Sequence, residues 1–297
     1  MRKTVLLLIL AGTVAAQDRS RYPTQLHPER FTIDWKAFYD RADAMTEETR
    51  KALPHRLDIP YGEDSKQKLD LYFPLGKPRG PVFIFIHGGG FVEGDRAHYG
   101  YVARPLAERG IITVVMSYRL QPAHYPDQGE DKRRVLAWVY RNIASDGGDP
   151  RRIYIGGHSA GAILSAFVAV KRDWLEERGL PAELIRGFLP VSGPYDLVDF
   201  GSFVDVYLPD PSQGEEASPA RNITGTPPPA IVAYGSLEGP FAAQSRDFVE
   251  ALKARRGDAR LLVLEGMNHD DTALAASSEG SPLVQALLGL IESHPDE

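Results

Sequence analysis

From about residue 57 onward, short apolar runs alternate along the chain with longer amphipathic stretches. Val82-Phe83-Ile84-Phe85-Ile86 and Ile111-Ile112-Thr113-Val114-Val115 are nearly unbroken, the pattern of strands buried on both faces. Strands are predicted at 68–73, 81–87, 111–118, 152–156, 187–192, 230–234 and 261–264. Helices are predicted at 99–109, 130–144, 160–172, 242–256 and 281–293. Near the fourth helix, Phe241, Phe248 and Leu252 share one face, while Arg246, Glu250 and Lys253 point elsewhere. This alternation predicts an α/β fold, with a mostly parallel central sheet and helices on both faces.

The chain before residue 57 has a different texture. Arg2 and Lys3 precede an uncharged, mostly apolar run over 4–16, and Gln17, Asp18 and Arg19 then turn the sequence polar. That is the grammar of a signal peptide. Thirteen residues span roughly 20 Å as a helix, short of the ~30 Å hydrocarbon core, so a permanent membrane anchor is the weaker reading. Val14 and Ala16 suit a cleavage site after residue 16, and the expectation is an exported protein, periplasmic or extracellular. In the polar stretch that follows, Trp35, Phe38 and Tyr39 recur at i, i+3 and i+4, which predicts an amphipathic helix docked by its aromatic stripe. The expected organisation is a signal at 1–16, an N-terminal helical segment and candidate partial cap at 17–58, and a catalytic domain at 59–297. A long irregular stretch rich in Pro, Ser and Gly is expected at about 209–229.

Composition narrows the chemistry. With 34 Lys and Arg against 40 Asp and Glu, the net charge is 34 − 40 = −6, which argues against a nucleic-acid partner. The chain has no cysteine, so disulfides, thiolate metal sites and a cysteine nucleophile are excluded. Histidines 87, 98 and 124 fall on separate predicted loops without H-E-x-x-H or another metal spacing, and no metal or cofactor is expected.

Gly157-His158-Ser159-Ala160-Gly161 fits G-x-S-x-G between an apolar strand and a helical pattern, which is the context of a nucleophile elbow. His87-Gly88-Gly89-Gly90 follows the strand 81–87, where glycines expose backbone N–H groups. Gly88 and Gly89, with the amide of Ala160, are the candidate oxyanion donors. A general base beyond Ser159 is either His269 or His294, and His269 stands on an expected loop at the carboxyl end of strand 261–264. The acid that orients it is expected after strand 230–234, where Gly235-Ser236-Leu237-Glu238 offers Glu238. Asp247 lies within the next helix, and Asp270 and Asp271 are too close in sequence to fold back onto Nδ1 of His269.

These motifs resemble the α/β-hydrolase superfamily. More narrowly, the chain is similar to the esterase branch that groups hormone-sensitive-lipase-like carboxylesterases, feruloyl-esterase-like proteins and kynurenine formamidases. Gln67-Lys68-Leu69-Asp70-Leu71-Tyr72-Phe73-Pro74 is similar to that branch's opening strand, Ser117-Tyr118-Arg119-Leu120 to its Y-R-L segment, and Ser192-Gly193-Pro194-Tyr195-Asp196-Leu197 to its S-G-x-x-D-L. The resemblance implies acyl transfer to Ser159, with His269 as base, Glu238 in support, and a small-molecule ester as substrate. His87, Gly90, Phe91, His158 and Tyr195 are the candidate substrate contacts. Two departures stand out. Glutamate occupies a position where the branch usually has aspartate, and Pro240, Phe241, Gln244 and Ser245 follow it with one residue fewer than in the formamidases.

Overall fold

The computed structural model describes residues 34–76, 80–198 and 205–293. The expected signal at 1–16, the rest of the segment up to residue 33, and His294 lie outside the described residues. Strands β1 (His55–Pro60), β2 (Lys68–Tyr72), β3 (Gly80–Ile86), β4 (Ile112–Met116), β5 (Gly148–His158), β6 (Ile185–Val191), β7 (Ala230–Gly235) and β8 (Ala259–Leu264) form one sheet. Their order is β1-β2-β4-β3-β5-β6-β7-β8. The β1–β2 and β2–β4 pairs are antiparallel, and every later pair is parallel. The fold is that of an α/β hydrolase.

The central strands are buried on both faces, as their continuous apolar runs require. Val82, Ile84 and Ile86 of β3 enter one core layer, and Phe83 and Phe85 enter the other. Helices α3 (Asp127–Asn142), α4 (Ala160–Val170) and α7 (Gly239–Ala254) cover the first layer through Val135, Ile163 and Phe248. Helices α1 (Trp35–Ala52), α2 (Ala103–Ala107) and α9 (Pro282–Glu292) cover the second through Phe38, Leu106 and Leu287. Short helices α5 (Asp173–Glu177), α6 (Gly214–Ala217) and α8 (His269–Leu274) complete the described set. No helix among the described residues is long and apolar enough to cross a membrane.

Several elements differ from the sequence reading, and three of them matter most here. The boundary expected at residue 58 falls inside β1, an edge strand whose mostly exposed charged residues hide it from an apolar-run search. The helix expected at 99–109 is broken into a 3-10 turn at Gly100–Val102 and the short α2. His269 opens α8 rather than standing in a loop, with Asn268 as N-cap and Asp271 completing a capping box.

Helix α1 docks on the chain that follows the glycine loop. Its buried face carries Phe38, Ala42, Thr46 and Thr49. The Thr46 hydroxyl donates to the His98 carbonyl at 2.9 Å, and Arg50 donates to that of Ala97 at 3.1 Å. Of the aromatic stripe, Phe38 packs 6.1 Å from Tyr99 and Tyr39 lies 4.5 Å from the His98 ring.

A buried ion pair fastens α3 to the sheet. Asp131 is fully buried and accepts from Gln67 Nε2 at 2.7 Å, from the Arg119 amide at 2.9 Å and from Arg119 Nη2 at 2.8 Å. Removing the partly exposed Arg119 side chain leaves the buried Asp131 with only Gln67 and the residue-119 amide as donors. Arg119→Ala is therefore expected to cost about 1–3 kcal/mol of stability in urea unfolding. The double variant Arg119→Ala/Asp131→Leu should recover part of that loss.

Candidate active site

Ser159 occupies the turn between β5 and α4 at φ 57°, ψ −117°, a region that an L-residue enters only when its surroundings force it. Its amide donates to the Val191 carbonyl at the end of β6, 2.9 Å away. On the other side, α4 lies so close to β3 that a Cβ on Gly161 would sit 2.0 Å from the Ile86 carbonyl oxygen. Only glycine allows that approach. The N-terminus of α4 points its free amides toward the space above Ser159.

The glycine loop leaves β3 beside this turn. A Cβ on Gly88 would stand 3.1 Å from that of Ser159, so the Gly88 backbone and the serine are in direct contact. Gly89 takes φ +114°, and its carbonyl accepts from the Val92 and Glu93 amides, which curls the loop into a tight turn. Among the described residues, the amides of Gly88, Gly89 and Ala160 have no hydrogen-bond acceptor in the protein. Unused amides beside a serine hydroxyl are what stabilisation of an oxyanion requires.

Behind the loop stands a series of aromatic contacts. The His87 ring stacks between Tyr118, at 4.4 Å, and Tyr99, at 5.7 Å, and the Tyr118 hydroxyl donates to the His87 carbonyl. Phe91, at φ +65°, stacks on Tyr207 at 4.2 Å, and its carbonyl accepts from the Gln121 amide. Tyr207 comes from the stretch just before the long irregular segment, and its carbonyl accepts from the Tyr125 amide at 2.8 Å. That segment contains α6 and 3-10 turns, and is joined to the body through the Ser218 hydroxyl, which accepts from the Leu197 amide.

Glu238 and His269 meet at the ends of β7 and β8. Glu238 is 1% exposed, and its Oε1 lies 2.5 Å from Nδ1 of His269. Its Oε2 accepts from the Gly235 amide and from the Ser192 hydroxyl, each at 2.6 Å. Phe241 stacks on the outer face of the His269 imidazole at 5.2 Å, and the His158 ring is 4.5 Å from it. The neighbouring carboxylates do not reach Nδ1: Asp271 Oδ2 accepts from the Asn268 amide in the capping box. Burial raises Asp270, beside His269, to about 6.

Four of the five candidate substrate contacts hold bracing positions. Phe91 and Tyr195 are both fully buried, Phe91 against Tyr207 and Tyr195 against Phe248 at 4.4 Å. His87 is enclosed by its two tyrosines, and His158 is turned toward α8. Gly90 alone is half-exposed. Gln244, noted in the sequence only for its resemblance to the formamidases, has a structural part: its side-chain carbonyl accepts from the Tyr195 and Asp196 amides at 2.8 Å each and holds the turn after β6. Sequence reasoning missed Thr272, and it noted Ser192 only as the start of the S-G-x-x-D-L segment, because a serine or threonine gives no sign of its partner until the fold joins them.

Two expectations follow from the bracing. Tyr207→Ala opens a cavity behind Phe91 and should cost about 3–5 kcal/mol in urea unfolding. Tyr207→Phe should cost little, since the hydroxyl has no partner among the described residues. Burial also lowers His87 to about 4 and holds His158 well below its usual range. The unfolded chain takes up these protons near pH 6.5, so between there and about pH 4 it binds more protons than the folded protein. The stability that these two imidazoles contribute is therefore full above that window and falls as the pH drops through it, with the raised Asp270 acting in the opposite direction below about 6. The urea midpoint should be lower at about pH 5 than at about pH 7.5, and His87→Phe should narrow the difference.

Comparison with known proteins agrees with this geometry. A family model described as the alpha/beta hydrolase fold matches residues 83–272. Esterase LipC of Mycobacterium tuberculosis (strain ATCC 25618 / H37Rv) is 29% identical, over 97% of this chain and 80% of its own length. Isoprenylcysteine alpha-carbonyl methylesterase ICME of Arabidopsis thaliana is 31% identical over 74% of this chain, which spans 57% of that relative's length. Kynurenine formamidase of Salmo salar is 30% identical, over 71% of this chain and 73% of its own. Among solved structures, the carboxylesterase EstE1 from a metagenomic library superposes with a TM-score of 0.71 at 23% identity, covering 88% of this chain and 96% of that one. With its serine turn, glycine loop and buried Glu238–His269 pair set on the carboxyl edge of the sheet, the chain belongs to the alpha/beta hydrolase fold family, as an esterase-type member.

Proposed function

We propose that the protein is an exported serine carboxylesterase acting on short-chain or aromatic acyl esters through Ser159, His269 and Glu238. The observation that carries the reading is the buried Glu238–His269 contact at 2.5 Å, beside the strained Ser159 turn. Export is supported by Arg2, Lys3 and the apolar run over 4–16.

In this mechanism the Ser159 oxygen attacks the ester carbonyl carbon while Nε2 of His269 takes the hydroxyl proton. The carbonyl oxygen becomes an oxyanion facing the amides of Gly88, Gly89 and Ala160. Collapse of the tetrahedral adduct breaks the bond to the alkoxy oxygen, which leaves with the proton from His269. Water then attacks the acyl-enzyme, His269 takes its proton, and release of the carboxylic acid restores Ser159. Glu238 keeps the proton of His269 on Nδ1, so that Nε2 is free to accept, and its charge favours the imidazolium formed in each step.

A second substrate class is favoured by the 30% identity to a kynurenine formamidase. The same steps cleave an aryl formamide, with nitrogen in place of the leaving oxygen. The test is turnover on acetyl, butyryl, octanoyl and feruloyl esters beside N-formylkynurenine, for the wild type and for Ser159→Ala and Glu238→Gln. Ester hydrolysis is expected, lost in Ser159→Ala and reduced by roughly 10³- to 10⁴-fold in Glu238→Gln with its unfolding midpoint retained. Preference for N-formylkynurenine would replace the ester reading, and turnover that survives Ser159→Ala would end both.

A further inference from the structure

Behind the acid–base pair lies a set of polar groups that the acyl-transfer steps do not use. Oε2 of Glu238 accepts from the Ser192 hydroxyl at 2.6 Å, and that hydroxyl lies 2.9 Å from Oγ1 of Thr272. Oγ1 of Thr272 is 2.8 Å from the main-chain carbonyl of His269. Since Oε1 of Glu238 bonds Nδ1 of the same histidine, the contacts close into a ring that begins and ends on His269. His158 joins from the other side, its Nε2 3.0 Å from the His269 carbonyl and 3.2 Å from Oγ1 of Thr272. Ser192 and Thr272 are 0% exposed, Glu238 is 1%, and His158 and His269 are 6%.

The donors of the main contacts can be assigned with Glu238 as a carboxylate. A carbonyl oxygen brings no proton, so Nε2 of His158 must carry one and donate. Burial keeps the His158 imidazole neutral, which leaves its Nδ1 bare. The single proton of Ser192 goes to Glu238, the Thr272 hydroxyl donates to the His269 carbonyl, and Nε2–H of His158 faces the same carbonyl and the Thr272 oxygen. Ser192 thus serves the carboxylate and Thr272 the His269 main chain, in a dry interior where such bonds are strong. The backbone leaves no slack around the ring. A Cβ on Gly235 would stand 2.3 Å from the Met267 carbonyl oxygen and 2.9 Å from Cγ2 of Thr272, and Ser192 itself takes φ 55°.

We propose that Ser192 and Thr272, backed by His158, are positioning residues of this hydrolase. They fix the Glu238 carboxylate and the His269 main chain as one unit, so that the imidazole holds a single orientation toward Ser159. The inference rests on the reading of Ser159, His269 and Glu238 as nucleophile, base and acid. It extends that reading to a threonine one helical turn beyond the base and to a serine on a different strand end.

The test compares Ser192→Ala, Thr272→Val and Thr272→Ser with the wild type, on the ester it turns over fastest. Three quantities are read: kcat against KM, the urea midpoint, and the far-downfield proton resonance of Nδ1–H of His269. Ser192→Ala and Thr272→Val should lose roughly 10- to 100-fold in kcat with KM held within about twofold, the scale of a misplaced catalytic group. Thr272→Ser should recover most of that loss, and the resonance should move or broaden in the two deficient variants. Wild-type kcat in both, or a Thr272→Ser variant no better than Thr272→Val, would overturn the proposal. If the wild type shows no Ser159-dependent turnover, the functional reading fails separately. The resonance then decides the positioning role, because it is read without substrate: an unmoved signal overturns it, and a displaced one supports it.

Discussion

The strained turn at Ser159 is the constraint on which the other parts of the site depend. A side chain held at φ 57°, ψ −117° costs about 1–3 kcal/mol relative to an ordinary turn, so neighbouring structure must hold it there. Strands β3 and β6 do so from either side. Their registers with β5 pair Ile86 with Gly157 and Val191 with His158, and the Ser159 amide bonds the Val191 carbonyl. With β5 held in this way, the loops leaving β3, β6, β7 and β8 all emerge on the same edge. Gly88, Ser192, Glu238 and His269 are the residues those loops present there. The switch in strand order around β3 makes room for them, as in other open α/β sheets.

How much of this could be read from the chain depends on how local each signal is. Strands β3 and β4 are continuous apolar runs and can be placed to within a residue or two. Strand β1 pairs only along one edge, so its alternation is diluted by exposed charge. The capping box of α8 is present as Asn268 and Asp271, yet a six-residue helix is too short for periodicity to show. At the site, Ser159 stands in a motif, and chain order singles out His269 and Glu238. Ser192 and Thr272 lie 80 positions apart, and nothing about either hints at the other until β6 and α8 are brought together.

The aromatic residues near the motifs misled in a consistent direction. Phe91 and Tyr195 adjoin the glycine loop and the turn after β6, which suggests contact with a ligand. Both are consumed by packing that keeps those loops in place. A glycine loop with unused amides has little internal structure to hold its shape, so bulk behind it is a physical necessity. The apolar side chains that do face outward near the site are Val92, on the glycine loop, and Leu237, next to the acid, at 47% and 37% exposure.

The Glu238 side chain has a further consequence for how the site can vary. Its Oε2 bonds the amide of Gly235, three residues earlier, so the carboxylate lies folded back over its own turn while Oε1 reaches His269. Side-chain length and turn length thus act as a single geometric variable. An aspartate on the same backbone would withdraw the carboxyl group by about one carbon–carbon bond, roughly 1.5 Å. It would then have to give up either Gly235 and Ser192 or the imidazole. Exchanging the two acids in this fold is therefore a change of loop architecture, and a chain that carries glutamate here commits the spacing between β7 and α7 along with it.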